Sequence, residues 1–91
     1  STVGVLSMNR RNLGVTVFPN PFSGQTYLNV LADEKQEFTA TVFDLQGRLV
    51  QTLHGVTGST LLIPADGMPA GVYILKVNTS SAENTARIVV Q

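Results

Sequence analysis

A chain of 91 residues bounds the molecule to one domain, and six basic residues cancel six acidic ones, which excludes the positive footprint of a nucleic-acid or anionic-membrane binder. Hydrophobic residues make up 43% and charged residues 13%, the balance of a packed globule and not of a disordered tail. Cysteine is absent, so disulfides and thiolate metal ligands are excluded, and no apolar run approaches the ~20 residues of a transmembrane helix.

The chain opens on Ser1 with no signal-peptide pattern behind it, and reads as a piece of a longer protein whose export signal would lie upstream. Residues 1–14 show no sustained period and read as a linker, with a short strand at Val3 to Leu6 and a dibasic pair, Arg10-Arg11, open to a basic-specific protease. From Val15 the pattern changes to short β segments broken by turn residues. Val15 to Phe18 is a strand that Pro19 must stop, because proline donates nothing to a ladder. Pro19-Asn20-Pro21 follows as a stiff corner.

Thr26 to Leu31 is the next strand, with Leu28 and Val30 inward. Phe38, Ala40 and Val42 alternate with Thr39, Thr41 and Phe43, and Arg48 to Leu53 returns as the hairpin partner. Between them Asp44 can accept from amides ahead of it, and Gly47 can take positive φ. Gly55 and Gly58 bracket a turn before Thr60 to Ile63, and any helix would be a single turn near Ala65 to Met68. Val72 to Val77 faces Tyr73, Leu75 and Val77 one way, and Thr85 to Val90 does the same with Ala86, Ile88 and Val90. Seven short strands with turns every ~8–12 residues predict an all-β, immunoglobulin-like antiparallel sandwich, with a small open barrel as the competing architecture.

No constellation for chemistry can be assembled, and no catalytic, cofactor or metal site is expected. Nucleophilic catalysis needs nucleophile, base and orienter together, and the single histidine, His54, reads as an exposed turn residue. Asp33, Glu34 and Glu37 lack the ligand spacing of a calcium loop and read as a solvated hairpin tip. Asp44 and Asp66 stand in turns, and no glycine follows the strand–glycine–helix pattern of a phosphate loop. Asn78-Thr79-Ser80 matches the glycosylation pattern, which short chains meet by chance. Among the aromatics, counting by two puts Phe38 and Tyr73 inside and leaves Phe22, Tyr27 and Phe43 as surface residues.

The stretches Val17 to Phe22, Val42 to Val50, Met68 to Val77 and Arg87 to Val90, in that order, resemble one known family: the C-terminal sorting domain of the type IX secretion system, type A, or Por secretion signal, of Bacteroidetes bacteria. The resemblance covers roughly Val15 to Gln91. It implies a seven-stranded immunoglobulin-like fold at the end of a secreted cargo protein. It also implies a signal that passes from the periplasm through an outer-membrane translocon, after which a sortase-like peptidase removes it while attaching the cargo to the cell surface. Carried over by position, Pro19, Asn20 and Pro21 match the entry motif and Gly47 the hairpin glycine. Gly71 and Tyr73 match the glycine-x-tyrosine element, and Lys76 and Arg87 the basic positions of the last two strands. Arg87 stands where lysine is usual, which keeps charge but changes donor geometry. The cleavage bond would fall within residues 1–14. The terminal hairpin, Val72 to Gln91, would offer a sheet edge to a receptor strand. The competing reading is an extracellular fibronectin-like or carbohydrate-binding accessory sandwich, since one fold hosts many functions.

Overall fold

The computed structural model describes residues 13–91, so the strand expected at Val3 to Leu6 and the Arg10-Arg11 pair lie outside the described residues. Among the described residues seven strands form: β1 (Gly14–Phe18), β2 (Gln25–Leu31), β3 (Glu37–Phe43), β4 (Leu49–Val56), β5 (Thr60–Pro64), β6 (Gly71–Asn78) and β7 (Glu83–Val90). They make two antiparallel sheets, ordered β1-β2-β5 and β4-β3-β6-β7. This is the expected immunoglobulin-like sandwich. With no ladder joining β1 to β7 or β4 to β5, it is not a barrel.

The period of two decides which side chains enter the core. β2 buries Thr26, Leu28 and Val30, β3 buries Phe38, Ala40 and Val42, and β6 buries Tyr73, Leu75 and Val77. A slip of one residue in any of these ladders would turn that set out to solvent, which fixes the register. Burying each Leu, Val or Ile contributes about 1.5–3 kcal/mol.

The β3–β4 hairpin forms as its sequence dictates. Asp44 Oδ1 accepts from the N–H groups of Gln46 and Arg48, each at 2.9 Å, and Gly47 takes φ +87° while donating to the Asp44 carbonyl at 3.0 Å. Register shifts between Val42 and Phe43, so a bulge sits beside this turn.

Two expectations change here, at Gly55 and Phe22, and the stretch that could have held a helical turn is settled. Gly55 is a strand residue of β4, not a turn residue, and it stands opposite Phe38. A Cβ at Gly55 would lie 2.6 Å from Phe38 Cζ, so glycine is what lets that ring lie on the strand. Ala65 to Met68 is a hydrogen-bonded turn without a helix, and it tucks the Met68 side chain under the core. Phe22 is buried at 2% exposure, because counting by two does not carry through a proline corner.

Candidate recognition surface

The Pro19-Asn20-Pro21 corner carries the chain from the end of β1 to the outer edge of β7, and both its X-Pro bonds, Phe18-Pro19 and Asn20-Pro21, are cis. The Thr26 hydroxyl, fully buried in β2, donates to the Pro19 carbonyl and holds the corner from beneath. Asn20 then reaches β7. Its Nδ2 donates to the Arg87 carbonyl at 2.9 Å and its Oδ1 accepts from the Val89 N–H at 3.0 Å. Two residues on, the Phe22 N–H donates to Val89 O at 2.9 Å, and the Gln91 N–H donates to Phe22 O at 2.8 Å. A side-chain amide and one residue of backbone therefore stand in for an eighth strand.

Farther up β7, buried Asn84 donates to the Leu13 carbonyl at 2.8 Å and accepts from the Thr85 N–H at 2.9 Å. β7 is a sheet edge, as expected of the terminal hairpin. From the Arg87 carbonyl to the Gln91 N–H its outward groups are nevertheless already paired, which leaves a receptor strand little to bond there.

The remaining residues of the expected motif divide between framework and surface. Gly71 opens β6 at φ +153°. Tyr73 points inward, and its hydroxyl donates to the Pro69 carbonyl, tying the strand to the loop before it. That loop meets the β3–β4 turn around a shallow concavity of about 310 Å³, lined by Gly71 and Tyr73 with Asp44 and Arg48. Gly47 lies in the turn itself and does not line it.

Lys76 and Arg87 share the outer face of the four-stranded sheet. Register sets Arg87 opposite Ile74, which is opposite Phe43, and sets Lys76 between Thr41 and Thr85 in the next row. Lys76 Nζ lies 3.5 Å from Glu83 Oε2, but both side chains are substantially exposed, so the pair is worth little. Arg87 is exposed, and half-buried Phe43 and Ile74 make an apolar floor beside it. The structure thus places Arg87 and the Asn20 corner together on β7, with Lys76 one row away on β6.

The chemistry-bearing side chains stay apart. His54 is exposed, in β4 and not in a turn, with Nδ1 3.4 Å from the Thr39 hydroxyl. Hydrogen bonds from Arg48 foremost, with a further one from Gln46, hold the Asp44 carboxyl below its usual range. Among the described residues no three His, Asp or Glu side chains come together as metal ligands would.

Sequence reasoning missed two structural residues here. Asn84 was findable, since counting back by two from Ala86, Ile88 and Val90 lands on it as an inward polar residue. Phe22 had no periodic signal.

A model of the secretion system C-terminal sorting domain matches residues 16–91. The chain belongs to this family. The sorting domain is a C-terminal signal for type IX secretion, and its matched span runs from β1 to the final residue. It is also similar to a solved structure, dimeric latent PorU from Porphyromonas gingivalis, at 22% identity with a TM-score of 0.58. That likeness covers 84% of this chain but 9% of the PorU chain, and at such identity it speaks to fold alone. No curated protein matches the sorting domain. Among its described residues no helix is long and apolar enough to cross a membrane.

Proposed function

We propose that this is a type A sorting domain, a non-catalytic signal read as a folded object. It would ride at the end of an exported cargo, pass through the periplasm to the outer-membrane translocon, and then be cut from the cargo within residues 1–14 by a sortase-like peptidase that fixes the cargo to the cell surface. The observation that carries the reading is the family match over residues 16–91, nearly the whole sandwich.

The geometry supports a division of labour among the motif residues. Asn20, Gly47, Gly71 and Tyr73 serve the fold, as their bonds and positive φ angles indicate, while Pro19 and Pro21 aim Asn20 at β7. Lys76 and Arg87 project charged side chains from the sheet, where they are open to contact. A periplasm-targeted reporter carrying residues 1–91 at its C-terminus should reach the surface or medium of a type IX-competent bacterium, whereas the reporter alone stays inside. Retention of both would sink the reading.

A further inference from the structure

The two sheets have four edges, and three of them are guarded. β7 is sealed from the Arg87 carbonyl onward by Asn20 and Phe22, and β1 lies along the same seam with Val15 and Val17 buried. On the opposite seam β5 has only five residues and ends on Pro64, which has no N–H and whose carbonyl accepts from Gln51 Nε2 at 3.0 Å. That leaves β4, eight residues with neither proline nor a charged side chain, the usual devices against unwanted pairing.

Its free groups can be named. The Thr57 N–H donates to Gln36 O at 2.9 Å, and register pairs Val56 with Glu37. Antiparallel alternation therefore turns the backbone of Leu53 and Gly55 toward β3 and that of Thr52 and His54 outward. The Val56 carbonyl is taken by the Ser59 N–H at 3.1 Å, but nothing among the described residues bonds the outward groups of Thr52 and His54. Both residues are exposed, and the bulge that could blunt this edge lies beyond Gln51.

We propose that the open edge of β4 accepts an extended strand of the outer-membrane translocon, paired to the backbone of Thr52 and His54. This deepens the sorting reading and rests on it. Only another extended backbone supplies donors and acceptors at the two-residue repeat this edge presents. Alternate residues of the added strand would cover half-buried Leu53 and Leu61, which calls for apolar side chains on that side. On the other side it would meet a concavity of about 750 Å³ that His54 shares with Glu37, Thr39 and Asn78 and with apolar Phe38 and Val56. A second copy fits less well, since a strip two residues long falls far short of the ~800 Å² per partner of a stable interface. A cargo already held at the translocon has the effective concentration to use so small a contact, and release is then easy.

The test is a Thr52→Pro change in the reporter fused to residues 1–91, with His54→Pro as an independent variant. Proline at either site removes an outward N–H and leaves the β3 ladder intact. Circular dichroism and thermal melting should show both variants folded, while secretion falls to the level of the reporter without the domain. Normal export of wild type and of a folded Thr52→Pro variant overturns this inference alone. Retention of the wild-type fusion overturns the sorting reading and this inference together. A concentration-dependent wild-type dimer, lost in Thr52→Pro, would give the edge to a second copy and overturn the translocon strand.

Discussion

Asn20 and Val89, 69 positions apart, are joined through the Asn20 side-chain carbonyl, which accepts from the Val89 backbone N–H at 3.0 Å. The same amide donates to the Arg87 carbonyl, so one side chain closes two backbone groups of the last strand. The corner and the chain end, the two landmarks of the sequence, form one structural unit.

Asn20→Ala should therefore destabilise the domain by about 1–2 kcal/mol, since the Val89 N–H is left part-buried and unpaired while the Arg87 carbonyl is exposed to water. Urea denaturation should show a lower midpoint with an unchanged slope. Asn20→Asp should fall between, since its carboxylate can accept from Val89 but cannot donate to the Arg87 carbonyl. A wild-type midpoint for Asn20→Ala would remove the proposed purpose of the corner.

Gly55→Ala should cost about 1–3 kcal/mol by overpacking, because the new Cβ falls 2.6 Å from the Phe38 ring. A smaller partner should give part of this back. In a double-mutant cycle, Phe38→Leu and Gly55→Ala should couple favourably, whereas strict additivity would show that the ring simply moves aside.

The alternation of β2, β3, β6 and β7 was legible because each strand has one wet face, so Leu28, Ala40, Leu75 and Ile88 repeat at a spacing of two. The Asp44 turn was legible for the local reason that a short carboxylate finds amides two and four residues ahead. Asn20 on β7 was not legible, since its partners are distant in sequence and nothing local marks them. The same holds for Gly55, whose reason lies in a ring on the neighbouring strand, and for Phe22, which follows a corner that resets the count. Strand faces are local information; seams and edges are not.

Acid should loosen the β3–β4 turn. The Asp44 carboxyl is held below its usual range, chiefly by the Arg48 N–H, with smaller support from the Arg48 guanidinium and the Gln46 N–H and with desolvation opposing. A depressed folded value means this stability is complete above the unfolded carboxylate value of about 3.9 and is lost as pH falls through the folded one. Asp44→Asn should flatten the acid limb of a plot of stability against pH. An unchanged limb would show that other carboxylates set it.

Arg87→Ala should leave stability within about ±0.5 kcal/mol, as for an exposed side chain. By contrast, deleting Ala86 to Gln91 removes buried Ile88 and Val90 and should unfold the domain. Loss of export after the deletion then says nothing about recognition. Loss of export in a folded Arg87→Ala fusion does, and normal export would remove Arg87 from the contact surface.

The central claim is that this sandwich is a type IX sorting signal, and paired hosts test it most directly. A reporter ending in residues 1–91 should appear at the surface or in the medium of a type IX-competent strain and remain periplasmic in the same strain lacking its outer-membrane translocon. An identical distribution of the reporter in the two strains would contradict the claim.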